Sequence, residues 1–218
     1  MALSEVIREV SETSMRLTFG LMSMLFCFWA WILVNVPTLF NLAVIYLFLI
    51  SGASIIGGVA FASNFAYPFA TLGFPTLKEL PKTTFIGALI GAAWIYISAV
   101  LSALVPPMQT SIYRELPFTV ALIFAVVASL TEEIMVRATI LPTTIRIFKS
   151  KTAGTLFTSI FFSALHWAVY QAQPAALVSA FLFSMAVSIL VLHYRTGWVA
   201  GAAHTTYNLI ILYFTLQP

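Results

Sequence analysis

The chain has 218 residues, of which 61% are hydrophobic and only 8% are charged, and its formal net charge is +3. Soluble domains carry about 25% charged residues, so this composition excludes a soluble globular protein and predicts a multi-pass integral membrane protein whose surroundings are the lipid bilayer. The basic residues are scattered singly between apolar runs, and we therefore expect no nucleic-acid partner. The chain contains no aspartate, which excludes an aspartyl dyad and a Ser-His-Asp triad.

Seven apolar runs follow a charged N-terminal segment. Residues 1–16 have the spacing of an amphipathic helix that lies on the membrane surface. Each later run is close to the ~20 residues that cross a bilayer as a helix, so the predicted fold class is all-α, a polytopic membrane helix bundle of seven to eight helices. Residues 63–83 fit either an interfacial or a re-entrant segment. The runs cover residues 17–36, 39–62, 84–105, 118–141, 153–172, 175–194 and 197–216.

Basic residues fall in alternate connections between the runs, with Arg114 as the exception. Because cytoplasmic loops are enriched in lysine and arginine, this alternation predicts a cytoplasmic N-terminus and an external C-terminus. Arg8 and Arg16 precede the first run, Lys78 and Lys82 follow the second, Arg146, Lys149 and Lys151 follow the fourth, and Arg195 follows the sixth.

Small residues indicate close contacts between helices. Gly87 and Gly91 lie four residues apart in the third run, a spacing that is typical of helix-packing faces in membranes. Residues 200–203, at the start of the seventh run, are Ala-Gly-Ala-Ala. That stretch fits either a groove or tight packing, and packing is the commoner use.

The fourth run contains Glu132, Glu133 and Arg137, although each charge at bilayer depth costs a few kcal/mol. On a helix, Glu133 and Arg137 have the i,i+4 spacing of an ion pair with the acid N-terminal, and we interpret that pair as structural. Glu132 is rotated by about 100° from Glu133. One carboxylate is therefore paired, and Glu132 is available for chemistry.

Two later runs carry further polar groups at a similar predicted depth. Phe162 precedes His166 by one helical turn in the fifth run, and His204 and Asn208 share one face of the seventh. Intramembrane ionisable residues are functional by default. Three helices thus bring Glu, His, His and Asn toward one level of the membrane.

This set of residues suits hydrolysis. A buried carboxylate can take a proton from water that a histidine holds, and a second imidazole with an amide can donate to an oxyanion. Alternatively, Glu132, His166 and His204 could bind a divalent metal such as zinc, with a water in the open position. Acceptors that would orient metal-bound imidazoles are scarce, since no aspartate exists and Glu133 is expected to pair with Arg137. That scarcity favours a metal-free site.

These residues form three motifs: E-E-x-x-x-R at Glu132 to Arg137, F-x-x-x-H at Phe162 to His166, and H-x-x-x-N at His204 to Asn208. In this order the sequence resembles the CAAX proteases and bacteriocin-processing enzymes, also called Abi or type II CAAX prenyl endopeptidases. The resemblance covers roughly residues 115–215.

The resemblance implies an intramembrane endopeptidase that acts on a membrane-associated or lipid-anchored protein, such as one with a prenylated, CAAX-like end. In the family, the first Glu and first His activate water, and the second His and the Asn form the oxyanion hole. Those catalytic roles fall on Glu132 with His166 and on His204 with Asn208, while Glu133, Arg137 and Phe162 would support the site. Ala138 stands where many members carry glycine. We expect the plasma membrane of a prokaryote, and either no cofactor or a divalent metal.

The chain therefore divides into an interfacial segment at 1–16, N-terminal transmembrane helices at 17–114 and a catalytic helix bundle at 115–216. Two other functions stay open. Glu, His and Arg inside a bundle also form proton relays, so a proton-coupled transporter is the first alternative. A non-catalytic bacteriocin immunity protein is the second.

The topology can be tested with a reporter fused after Pro218. We expect the fusion to be active only outside the cytoplasm, because the seven runs and the basic connections place the C-terminus there. The same reporter fused before Met1 serves as the cytoplasmic control. A cytoplasmic signal from the C-terminal fusion would contradict the predicted orientation.

Overall fold

A computed structural model describes residues 75–104, 117–133, 136–137, 140–166 and 173–216. Within these ranges the chain is all-helical and has no strand, in agreement with the predicted class. The predicted segment at 1–16 and the runs at 17–36 and 39–62 lie outside the described residues, so the total of seven to eight helices and the division into three regions stay predictions. The helices are α1 (Leu80–Leu104), α2 (Phe118–Glu133), α3 (Leu141–Phe148), α4 (Lys151–Leu165), α5 (Pro174–Tyr194) and α6 (Trp198–Leu216).

The fourth apolar run does not form the single helix that its length suggests. Helix α2 ends at Glu133, and a π-helical turn that includes Val136, Arg137 and Ile140 precedes α3. Pro142 lies in the first turn of α3, where a missing backbone N–H leaves no hydrogen bond unmade. Proline therefore lies at the start of a new helix here.

Among the helices of the described ranges, two are long and apolar enough to cross a membrane by themselves, at residues Leu80–Leu101 and Pro174–Tyr194. The outer face of α1 carries large apolar side chains that no other described helix covers, among them Phe85, Leu89 and Val100. In water such a surface would be unfavourable, whereas lipid tails are as apolar as the side chains themselves.

The predicted packing face at Gly87 and Gly91 is confirmed. Helix α1 packs most extensively against α6, and a methyl group added at either glycine would overlap the backbone of α6. At Gly91 the overlap is with the carbonyl of Ala203. The small residues at 200–203 thus include part of a tight contact between helices, and this contact fixes the position of His204 relative to α1.

Candidate active site

Glu133 and Arg137 form an ion pair in which both side chains are fully buried. Arg137 Nε donates to Glu133 Oε2 at 2.8 Å. The two residues lie on either side of the end of α2, so the pair spans the transition from the α-helix to the π-helical turn. Charged hydrogen bonds of this length are among the strong ones in proteins, and the i,i+4 spacing in the sequence indicated this pairing.

Arg137 also holds two neighbouring helices. Its Nη1 donates to Ser184 Oγ and to Ser188 Oγ, both at 3.0 Å, and both serines belong to α5. The guanidinium carbon lies 5.2 Å from the ring centre of Phe162 on α4, within the range of a cation–π interaction. The arginine is therefore a junction of α2, α4 and α5 and not only the partner of one acid.

Glu132 faces a different helix from Glu133, as its rotation around the helix axis predicts. Its Oε2 lies 3.5 Å from Nε2 of His166, and both side chains are largely buried. Among the described residues this carboxylate oxygen has no hydrogen-bond partner at standard distance. A separation of 3.5 Å is long for a direct hydrogen bond, and Glu132 Oε2 is closed to solvent in this arrangement.

His166 is oriented by the end of its own helix. It caps α4, and its Nδ1 lies 2.8 Å from the carbonyl oxygen of Phe162. Since a carbonyl can only accept, Nδ1 carries a hydrogen, and Nε2 is the ring nitrogen that faces Glu132.

His204 and Asn208 are both tied to α2. His204 Nδ1 lies 3.1 Å from Glu133 Oε1, so Glu133 contacts both Arg137 and His204. Asn208 Nδ2 donates to Ser129 Oγ at 2.8 Å, and that hydroxyl donates to the carbonyl of Ala125. The interpretation of Glu133 as a purely structural partner of Arg137 is therefore too narrow.

Phe162 lies between the two histidines. Its ring centre is 4.5 Å from that of His166 and 5.9 Å from that of His204, and only 2% of the residue is exposed. With Arg137 on another side, this phenyl ring fixes the spacing between the groups of α4 and α6. The structure thus puts Phe162 in contact with both histidines, and its supporting role stays a prediction.

The zinc ligand set that the sequence allows does not assemble in this structure. Among the residues that are described, no three His, Cys or Glu side chains lie close enough to bind one metal ion. His204 Nδ1 contacts Glu133, which is not a member of that ligand set. However, both imidazoles do have an orienting acceptor, namely Glu133 and the Phe162 carbonyl. The predicted scarcity of such acceptors was wrong, and it no longer argues against a metal.

Residues 114–210 match the family model described as Type II CAAX prenyl endopeptidase Rce1-like. Over this segment the chain is similar to the CAAX protease family. The family resemblance of the three motifs is thereby confirmed, and all four predicted catalytic residues lie within the matched segment. No curated protein and no solved structure matches the chain significantly.

The matched family implies a protease with a membrane-associated protein as its substrate. The roles of Glu132, His166, His204 and Asn208 in catalysis are not decided by the match and stay predictions.

Several residues around this candidate active site were not predicted from the sequence. Ser129 supports Asn208, while Ser184 and Ser188 support Arg137. The available signal was the spacing of Ser184 and Ser188, one helical turn apart within an apolar run. Nothing in the sequence tied either serine to Arg137, because the contact joins residues 47 and 51 positions apart.

Because only Glu133 pairs with Arg137, we expect removal of the two carboxylates to have different effects on the free energy of unfolding. Glu133→Gln leaves Arg137 buried without its counter-charge, and we expect it to lower the free energy of unfolding by about 3–5 kcal/mol. Glu132→Gln should unfold like the wild type, because Glu132 makes no ion pair with Arg137. Thermal unfolding in detergent measures both.

A double variant is the control for this prediction. Glu133→Gln with Arg137→Met removes both charges, and it should recover most of the lost stability, since a buried pair can often be replaced by apolar groups without loss. A Glu133→Gln protein that unfolds at the wild-type temperature would show that the pair is not what stabilises the bundle.

Proposed function

We propose that the chain is an intramembrane endopeptidase in which Glu132 and His166 activate water and His204 and Asn208 stabilise the oxyanion. The observation that supports this most is the approach of Glu132 Oε2 to His166 Nε2, at 3.5 Å, in a chain that is similar to the CAAX protease family. The carboxylate comes from α2 and the imidazole from the end of α4, so the pair forms only when these helices are packed together.

Water would be held by two acceptors. When the His166 ring is neutral, its hydrogen lies on Nδ1, toward the Phe162 carbonyl, so Nε2 offers a lone pair. A water that donates one hydrogen to Nε2 and the other to the Glu132 carboxylate keeps its oxygen lone pairs free for attack. Both acceptors lie in partly water-excluded surroundings, with exposed side-chain fractions of 11% for His166 and 19% for Glu132.

The reaction then follows from general acid–base catalysis. The water oxygen bonds to the carbonyl carbon while Glu132 takes the proton, which gives a tetrahedral oxyanion. When the C–N bond breaks, Glu132 returns that proton to the leaving nitrogen. The products are a carboxylic acid and an amine, and the enzyme is restored with no external oxidant or reductant.

The oxyanion would be stabilised from α6. His204 Nδ1 lies 3.1 Å from Glu133 Oε1, and a ring that carries both protons would donate from Nε2 to an oxyanion. Asn208 uses one amide hydrogen on Ser129 and has a second one to offer. Removing one donor of this kind costs about 10²–10³ in rate in other hydrolases.

The proposed substrate is a protein held at the cytoplasmic leaflet by a lipid anchor, such as a prenylated, CAAX-like end. The bilayer would present such an anchor at the level of the helices that carry the site, and the proposed location is the plasma membrane of a prokaryote. The family match supports the membrane-associated class of substrate, and the topology predicted from the basic residues supports cytoplasmic access.

The general base can be tested by Glu132→Gln. We expect cleavage of farnesylated peptides, followed by mass spectrometry, to fall by about 10²–10⁴, because the amide cannot take the proton. Glu79→Gln, at an exposed carboxylate just before α1, is the matched control and should cleave like the wild type. Retained cleavage by a folded Glu132→Gln protein would contradict the proposed mechanism.

Metal dependence is a separate prediction. Because the described residues gather no three-ligand set, we expect activity to persist in a strong chelator and the purified active protein to contain less than stoichiometric zinc. Metal analysis and activity are measured on the same sample. Stoichiometric zinc, together with loss of activity in chelator and recovery on adding zinc, would replace the metal-free mechanism.

A further inference from the structure

A hydrogen-bonded chain of four side chains from α1, α5 and α6 lies beside the two histidines. Trp94 Nε1 donates to Ser179 Oγ at 3.2 Å, the hydroxyls of Ser98 and Ser179 are 3.1 Å apart, and the Tyr207 hydroxyl donates to Ser98 at 3.4 Å. None of these residues belongs to the three sequence motifs. We call these four residues the polar chain.

The polar chain has a donor to spare. Its four members carry four donor hydrogens, one on each group, and make three contacts with one another. When Ser98 donates to Ser179, Ser179 accepts two hydrogen bonds and its own hydrogen is left over. Ser179 lines a small cavity, so this hydrogen can be offered to a guest there.

The cavity is small and mostly aromatic. It has a volume of about 20 Å³, and its lining includes both histidines, Ser179 and the rings of Trp94, Phe162, Phe183 and Tyr207. Phe183 lies at the centre of these rings, with its ring centre 5.5 Å from those of Trp94 and His204. A water needs about 10–15 Å³ in this measure, so the space takes one water-sized group, such as a methyl, and no branched side chain.

The cavity is lined by residues from two parts of the chain. The histidines belong to the segment that matches the CAAX protease family, residues 114–210, whereas Trp94 and Ser98 lie on α1, outside it. Helix α1 is fixed against α6 at Gly87 and Gly91, so Trp94 cannot withdraw without breaking that packing. The part of the cavity wall that Trp94 forms is therefore rigid, and it comes from a part of the chain that the family match does not include.

We propose that this cavity is a specificity subsite for the side chain of a small residue, alanine or serine, next to the scissile bond. The inference rests on the proposed endopeptidase function. Trp94 limits the depth of the subsite, and Ser179 donates a hydrogen bond to a serine hydroxyl. The position beside both His166 and His204 is what ties the subsite to the bond being cleaved, because one histidine holds the water and the other the oxyanion.

The test uses farnesylated peptides in which each residue flanking the cleaved bond is varied separately among Ala, Ser, Val, Leu and Phe. At one of the two positions we expect the wild type to prefer Ala and Ser over Leu by at least about tenfold in kcat/KM, the scale on which a pocket discriminates methylene groups. Trp94→Ala should reduce or reverse that preference at the same position and leave the other position unchanged.

Ser179→Ala separates the hydrogen bond from the size of the pocket. It should lower the preference for Ser over Ala by about fivefold, the loss of one neutral hydrogen bond. Trp94→Phe is the milder second variant in case Trp94→Ala does not fold, and it should widen the pocket partly. Tyr96→Ala, at a position on α1 that is 78% exposed, is the control and should keep the wild-type profile.

The outcomes distinguish the subsite from the proposed function. If Glu132→Gln cleaves as well as the wild type, the mechanism proposed for Glu132 is wrong. If wild type cleaves and Glu132→Gln does not, but Trp94→Ala and Trp94→Phe keep the wild-type profile, the cavity holds a water only and the subsite is wrong. Binding of the same peptides to Glu132→Gln, measured as a shift in Tm, reports the preference for Ala over Leu without turnover, and no preference there also overturns the subsite.

Discussion

The structure depends on one buried carboxylate, that of Glu133. Moving a carboxylate and a guanidinium out of water costs several kcal/mol for each ion, and only good geometry and further hydrogen bonds offset that cost. Glu133 meets this requirement with Arg137 Nε at 2.8 Å and His204 Nδ1 at 3.1 Å, and Arg137 adds two serine hydroxyls of α5. The partners come from three separate helical segments, so the charge can be accommodated only when those segments are in register. A pair of this kind contributes to the choice of one arrangement among many apolar ones, which matters where lipid tails are as apolar as the side chains.

Two adjacent acids at the end of α2 have different surroundings, because successive residues of an α-helix are rotated by about 100° around its axis. Glu132 and Glu133 are the last two residues of α2, and a π-helical turn containing Arg137 follows. Turns of this kind occur often at functional sites, because they locally change which side chains share a face. Here Glu133 faces α6 and Glu132 faces α4. Adjacent carboxylates on one face would repel each other, whereas these two point to separate partners.

Much of this arrangement was predictable, and the limits have physical causes. Helical spacing predicted the Glu133–Arg137 pair, the packing face at Gly87 and Gly91, and the separate directions of the two acids, since all of these depend on positions within one helix. The contact of His204 with Glu133 was missed, because it joins residues 71 positions apart and depends on how α2 and α6 are rotated. Periodicity in one segment contains no information on the rotation of another. The break in the fourth run was missed for a different reason: an apolar run signals burial in lipid and does not distinguish an α-helix from a π-helical turn.

A chain with so few charged residues has to orient two histidines at low cost, and it does so in two ways. His204 uses Glu133, a charge that the Arg137 pair already compensates. His166 uses a backbone carbonyl: α4 ends at Leu165, and the last four carbonyls of a helix have no partner within it, so the Phe162 oxygen is available to the imidazole at the C-cap. Ending the helix at this residue gives the Phe162 carbonyl a hydrogen-bond donor, and the same contact orients the imidazole of His166. The alternative, a carboxylate for each ring, would bring another charge to bilayer depth at a few kcal/mol. At the C-cap of α4, His166 is oriented without such an additional charge.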